Sequence, residues 1–263
     1  LKAAESLTRC GVKVTVLELA GQILGSILPA NAAALVQSRM EQEGVTFLLN
    51  NTLTGVEPAD DGSQLLTISS GGKLRADLLI MAIGVRPALG ITKGTELAVG
   101  RGILVDEFMR TNLENIYAAG DVAEERDLFT GKQRVNAILP SASRQGAIAG
   151  ANMAGGNERS EGGFTFNSLQ LFDLSLMTIG RILERDEGIT QTEAIKGRWQ
   201  RRILYWTGDC LTGAILINDS ENAGLLRNLI QKRIPIPEGK ERLLSRSELI
   251  NLPSALWDNY LAI

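Results

Sequence analysis

The sequence predicts an α/β protein with parallel strands in its first half and a β-rich α+β segment in its second. Three observations carry this reading. The first fifty residues run helix, strand, helix, strand, an order that favours parallel pairing. Residues 77–83, Asp-Leu-Leu-Ile-Met-Ala-Ile, form a near-continuous apolar run, the pattern of a strand buried on both faces. Residues 155–163, Gly-Gly-Asn-Glu-Arg-Ser-Glu-Gly-Gly, are polar and Gly-rich and mark a linker. At roughly 100–200 residues per domain, the 263 residues suit about two domains.

The elements follow from local chemistry. Leu1, Ala4 and Leu7 fall at helical spacing and Gly11 caps that helix. Val12–Leu17 alternates and is β-branched, a strand closed by Glu18. Residues 29–43 predict a helix with Pro29 in its first turn and Gly44 as its stop, and Val45–Leu49 the next strand. Residues 52–76 break into short strand-like pieces around Asp60-Asp-Gly62 and Gly71-Gly72, a β-meander. The 77–83 strand stops at Gly84 and Pro87. Gly102–Asp106 and Ile116–Ala119 read as strands, and residues 141–154, full of Ala and Gly, as a helix packed close to a neighbour. Beyond the linker, Arg201–Trp206 and Leu211–Asn218 flank Thr207-Gly208-Asp209 as a hairpin, and residues 221–232 look helical before Pro235 and Pro237.

Composition excludes several chemistries for these residues. There is no histidine, so no Ser-His-Asp triad, Cys-His dyad or His metal site can be built from them. Cys10 and Cys210 are far apart in sequence and form no CxxC pair, which leaves redox chemistry to a bound cofactor. A net charge of −3 disfavours nucleic-acid binding through a basic face, and no apolar run approaches the ~20 residues of a membrane span. The sparse cysteines fit a reducing compartment, so a cytoplasmic location is expected. The start, Leu-Lys-Ala-Ala-Glu-Ser-Leu, reads as mid-helix, and the sequence is expected to belong to a longer protein.

The strongest motif is Thr111-Asn-Leu-Glu-Asn-Ile-Tyr-Ala-Ala-Gly-Asp121. Small residues end a strand, Gly120 admits a ligand close to the backbone, and Asp121 projects a carboxylate at the edge where open α/β sheets bind ligands. On its own, a Gly-Asp pair is equally read as a turn with Asp121 as a helix N-cap. Glu18, on its own, reads as a solvated charge at a strand end.

Taken as a set, these stretches resemble the two-dinucleotide-binding-domain flavoproteins of the pyridine nucleotide–disulfide oxidoreductase superfamily. Thr-x5-Ile-Tyr-Ala-Ala-Gly-Asp is similar to the second FAD motif. Ala76–Pro87 is similar to the strand with Gly-x-Arg-Pro, Gly102–Asp106 to the strand before the FAD motif, and Arg144-Gln-Gly146 to the helix after it. Ala88 departs from the family, which has Asn there. The resemblance implies two Rossmann-like dinucleotide-binding domains, both incomplete, and a small α+β C-terminal domain. Residues 1–83 would be the remainder of the NAD domain, 84–155 the C-terminal half of the FAD domain, and 164–263 the small domain. It further implies that Gly120, Asp121, Val122, Leu139 and Ala142 contact FAD, with Asp121 on the ribityl chain, the backbone near Val122 on the pyrophosphate and Leu139–Ala142 near the flavin ring. Glu18 would hold the NADH ribose, with Gly84 near the same nucleotide.

The implied activity is hydride passage from NADH to flavin, then onward to an electron-carrier protein such as rubredoxin or to another acceptor. The rest of the FAD domain would come from a missing N-terminal half or a partner chain, and a homodimer is expected. Two alternatives stand beside this. The chain could be a non-catalytic subunit completing a flavin site with a partner. It could also belong to a coenzyme A disulfide reductase or NADH oxidase whose redox cysteine lies elsewhere.

Overall fold

The computed structural model describes residues 1–183 and 189–245. The expected C-terminal domain, 164–263, includes residues 184–188 and 246–263, which lie outside the described residues. The chain divides into two compact units: Leu1–Gly84 with Leu169–Ser175, and Val85–Ser168 with the chain from Leu176 onward.

In the first unit, helix α1 (Lys2–Arg9) leads into strand β1 (Thr15–Glu18), and α2 (Ala30–Gln42) into β2 (Thr46–Leu49). Both helices end the same way. Gly11 and Gly44 take left-handed φ angles of 78° and 92°. The next amide then reaches back to the helix, Val12 to the Leu7 carbonyl at 3.0 Å and Val45 to the Met40 carbonyl at 3.2 Å. This six-to-one closure suits glycine, which carries no Cβ penalty there. It delivers the chain twice in the same direction, and β1 and β2 pair in parallel with Thr15 opposite Thr46 and Glu18 opposite Leu49. β1 is shorter than predicted and includes Glu18.

The meander forms as expected: β3 (Leu53–Pro58), β4 (Gln64–Ile68) and β5 (Lys73–Ala76) make an antiparallel sheet in that order. The apolar run 77–83 departs from expectation. It forms no strand, and Leu78, Ile80, Met81 and Ile83 are exposed, Ile83 by 86%. A strand needs a neighbouring backbone to complete its ladder, and among the described residues the parallel sheet consists of β1 and β2 alone. Glu5 ties α1 to the 169–175 segment. Its buried carboxylate accepts from Lys2, from Arg9 Nε at 3.2 Å and from the Phe172 amide at 2.8 Å. Burial pushes the Glu5 carboxyl up, but Lys2, the Phe172 amide and Arg9 together outweigh it and hold the group below its ordinary value.

In the second unit, β6 (Ile103–Leu104) pairs in parallel with β7 (Ala123–Arg126), and β7 antiparallel with β8 (Gln133–Val135). Helix α3 (Leu139–Met153) follows. The predicted strand at 116–119 does not form. Tyr117 makes one isolated bridge to Arg110, and the strand begins after Gly120–Val122 instead. The Thr111 hydroxyl shares its one hydrogen between the carbonyls of Leu113 and Ile116 and closes a tight turn that sets Tyr117 opposite Arg110; a longer strand would need a further neighbouring backbone.

The predicted linker is anchored, since Ser160 is buried and Gly163 bridges Asp127. The chain then builds β9 (Phe166–Leu171), β10 (Leu174–Gly180), β11 (Ile189–Gly197), β12 (Gln200–Thr207) and β13 (Cys210–Ile217). They form one sheet in the order β11-β12-β13-β10-β9. Helix α4 (Ala223–Lys232) sets Leu226, Leu229 and Ile230 against Trp206, Leu211 and Leu216.

An ion pair lies fully inside this part. Arg202 meets Asp219 through Nη2 at 3.0 Å and Nε at 3.1 Å, and Nη1 and Nη2 also donate to the carbonyls of Leu243 and Glu221. Removing one partner strands a buried charge. Asp219→Ala should therefore cost about 3–5 kcal/mol of stability, measured as a lowered urea midpoint. A loss below about 1 kcal/mol would mean that carbonyls alone suffice for the guanidinium.

Candidate functional site

The motif Thr111–Asp121 ends in a 3-10 turn, Gly120–Val122, that leads directly into β7. Its conformation rests on Gly120, whose φ is +82°. A second glycine permits the turn's setting: a Cβ on Gly102 would lie 2.7 Å from the Val122 carbonyl oxygen, so only glycine lets β6 approach there. Glu124 completes that corner by accepting the amides of Arg101 and Gly102 at 2.7 and 2.9 Å. Val122 packs against the small core of Ile103, Val105, Met109, Ala118, Ala123 and Ala149.

Asp121 is exposed, and among the described residues its carboxylate has no hydrogen-bond or ion-pair partner. It does not cap a helix of its own. Beside it lies the first turn of α3, where a Cβ built on Gly120 would stand 3.7 Å from the Cβ of Ala142. Leu139 opens the same helix and is 82% exposed. The structure therefore brings Gly120, Asp121, Val122, Ala142 and the start of α3 into one neighbourhood of the second unit. The further face of α3 is also open: nothing lies within 4 Å of a Cβ on Gly146 or Gly150.

Sequence reasoning did not find what holds this turn. Gln145 is completely buried, and its Oε1 accepts the Gly120 amide at 2.7 Å. Its Nε2 donates to Glu125 Oε1 at 2.6 Å. Glu125, 2% exposed, also receives Arg144 Nη2 on both oxygens at 2.6 and 2.7 Å, and the Ser160 hydroxyl at 3.3 Å. Two polar residues, Arg144 and Gln145, inside a helix of Ala and Gly were the available signal. Their partner, in the acidic stretch 124–127, is visible only in space. On its outer side Glu125 also borders a cavity of about 480 Å3 lined by Asp106, Glu107, Met109, Arg126 and Arg159, among others. That cavity includes none of the sequence-predicted site residues. Among the described residues, no cluster of three or more Asp, Glu, Cys or His could hold a metal ion.

Glu18 and Gly84 lie in the first unit. Glu18 ends β1 half-buried, and its Oε1 accepts the Ala20 amide at 2.8 Å. One carboxylate oxygen is thus engaged by the adjoining turn. Gly84 is exposed at φ +91° with open space around its α-carbon. No hydrogen bond joins the two.

The Gly120–Val122 turn fits a ligand that is hydroxylated along its length. It offers an unpartnered carboxylate acceptor beside a backbone stripped of side chain, against a helix start with exposed apolar surface. Those features suit the ribityl diphosphate of a flavin dinucleotide.

Comparison with known proteins bears on the family and the fold. The family described as "Pyridine nucleotide-disulphide oxidoreductase" matches residues 1–146. The chain is 31% identical over 249 residues to the NADH-dependent phenylglyoxylate dehydrogenase subunit epsilon of Aromatoleum evansii, covering 93% of this chain and 58% of that protein. It is 36% identical over 155 residues to the rubredoxin-NAD(+) reductase of Pseudomonas putida, covering 59% of this chain and 40% of that protein. The chain thus spans about half the length of these two curated relatives. In fold it is similar to a FAD-dependent pyridine nucleotide-disulphide oxidoreductase from Desulfovibrio vulgaris, with a TM-score of 0.81 at 23% identity, covering 100% of this chain and 68% of that one.

Proposed function

From its family, the pyridine nucleotide-disulphide oxidoreductases, to which the chain belongs, we propose that the protein is a FAD-dependent NADH oxidoreductase. The observation that carries the proposal is the Gly120–Asp121–Val122 turn, with its free carboxylate set against the first turn of α3. FAD, when bound, supplies the redox chemistry, accepting a hydride from NADH and passing electrons on.

The chain's own residues bind and orient. Asp121 accepts hydrogen bonds from the ribityl hydroxyls, and Gly120 leaves the backbone clear for the ligand. The backbone at Val122 borders the pyrophosphate, and Leu139 to Ala142 border the flavin. With no histidine in the sequence, none of these tasks calls on an imidazole base. Residues 1–83 serve the nicotinamide nucleotide, 84–155 the flavin, and the region from 164 the acceptor side or a homodimer contact. Glu18, oriented by the Ala20 amide, keeps one carboxylate oxygen for the NADH ribose, with Gly84 nearby.

The acceptor we propose is an electron-carrier protein. The rubredoxin-NAD(+) reductase relative supports that class. The phenylglyoxylate dehydrogenase relative is itself a subunit, which favours a variant of the same reading in which the protein passes electrons to a partner chain. No described helix is long and apolar enough to cross a membrane.

Two outcomes test the assignment. Asp121→Ala in the flavin-loaded protein should weaken FAD binding by about 1.5–3 kcal/mol, the worth of a hydrogen bond to a charged group, while NADH affinity stays near its starting value. Unchanged flavin content after extensive dialysis removes Asp121 from the site. Glu18→Ala should raise the KM for NADH and narrow the gap to NADPH, and Glu18→Arg should favour NADPH by pairing with its additional phosphate. An unchanged NADH/NADPH ratio of kcat/KM in both variants leaves Glu18 as a solvated charge.

A further inference from the structure

We infer that Gln145, held in one orientation by Glu125, is the positioning residue that sets the Gly120–Asp121 turn for its ligand. The inference rests on the flavin reading of that turn. It assigns a role to residues that touch neither ligand nor reacting atoms.

The argument starts from donors and acceptors. A glutamine amide has one face that donates and one that accepts, and a buried amide must satisfy both. Glu125 is an acceptor only. It already draws Arg144 onto both oxygens and the Ser160 hydroxyl onto Oε2. The side of Gln145 that faces it at 2.6 Å must therefore be the NH2 group. That leaves the carbonyl oxygen pointing the other way, at the Gly120 amide 2.7 Å distant. The amide plane is fixed at both ends, and Gln145 is fully buried.

The consequence falls on a residue with unusual freedom. Gly120 at φ +82° can occupy several backbone wells at similar cost. Its N–H bond to Gln145 selects one of them, and the next residue, Asp121, projects from that choice. Val122 on the far side of the turn is held by its core and by β6, and Asp121 has no side-chain partner of its own among the described residues, so the Gly120 end is where Gln145 acts on the aim of its carboxylate. The relay runs from Arg144 and Ser160 to Glu125, then to Gln145, then to the Gly120 amide. Arg144 is itself steadied by Nη1 to Ser160 Oγ at 2.6 Å.

Two substitutions separate positioning from simple packing. Gln145→Met keeps the length and volume but removes both hydrogen bonds. Gln145→Glu keeps the acceptor for Gly120 but places a second carboxyl against Glu125. Two carboxyl groups at that distance ionise together only at a cost, so the introduced acid holds its proton more readily. Once protonated, its O–H replaces the lost N–H donor. Arg144 on α3 and Glu125 on β7 are the charged groups facing it, and Ser160 supplies the neutral one. The arginine eases part of the repulsion.

The measurements are hydrogen exchange of the segment 119–123 and FAD affinity, both on the flavoprotein after flavin removal and reconstitution. Gln145→Met should speed exchange at Gly120 and weaken FAD by about tenfold at every pH. Gln145→Glu, which keeps the acceptor for Gly120, should lose less than Gln145→Met at pH 8 and recover toward the parent as the pH is lowered, each value taken relative to the parent at the same pH. Gly120 exchange unchanged in Gln145→Met overturns the inference, as does a Gln145→Glu profile parallel to the parent's. Asp121→Ala, measured alongside, separates the two levels. If it too leaves FAD affinity unchanged, the flavin reading of the turn is what fails. If it weakens FAD while Gln145→Met does not, the positioning role fails alone.

Discussion

A carboxylate taken out of water must be surrounded by donors, because an uncompensated buried charge costs several kcal/mol. Glu125 imposes that demand on the middle of the second unit. Arg144, Gln145 and Ser160 converge on it from a helix and from a segment without regular structure. Strand β7 is thereby joined to α3 and to the 155–163 stretch at one point. The Gly120–Val122 turn, which precedes β7 and leans on α3, inherits its geometry from that junction. Neighbouring Glu124 makes a similar demand and meets it with two backbone amides, fixing the corner before β6.

Around these polar anchors the architecture depends on absent side chains. Gly102 admits the Val122 carbonyl, and Gly120 sits beside Ala142. Gly11, Gly44 and Gly155 each take a left-handed φ just past a helix end. At Gly155 the closure repeats, with the Gly156 amide on the Ala151 carbonyl at 2.9 Å. The glycine content of 28 residues thus has concrete uses: some turn the chain out of helices, and others allow backbone to approach backbone. The C-terminal sheet is built differently. It has a conventional apolar core around Trp206 and Ile230, with one buried ion pair at Arg202 and Asp219.

The division of labour in the proposed function follows from this chemistry. A chain without histidine, and with two unpaired cysteines, contributes shape, acceptors and fixed backbone. Enzymes that delegate reaction chemistry to a cofactor need little else from their own side chains. What they do need is orientation, which buried networks supply better than exposed ones, since each fully satisfied bond in a dry interior resists alternatives.

How much was legible in the sequence differs by element. Helices α1 and α2, the meander, the hairpin β12–β13 and α4 were read correctly because their periods and glycine stops are local properties. The Gly120-Asp121 pair was legible as a turn for the same reason, but the sequence placed Asp121 at the C-terminal edge of a strand, whereas it precedes β7. Two readings failed where strand formation depends on what lies alongside. The 77–83 run has the composition of a buried strand, but pairing is a property of two backbones, and neither β1 nor β2 takes it in. Residues 116–119 find only an isolated bridge, Arg110 to Tyr117, and β7 formed after the glycine rather than before it. The linker at 155–163 was read from composition, whereas burial of Ser160 against Glu125 comes from contacts 35 residues apart. By itself the sequence determined the helices, their glycine stops, the meander, the hairpin and the lack of histidine. Only the tertiary structure decided which acid is buried, which amide it orients and which strands find partners, because those outcomes depend on groups distant in sequence meeting where water is excluded.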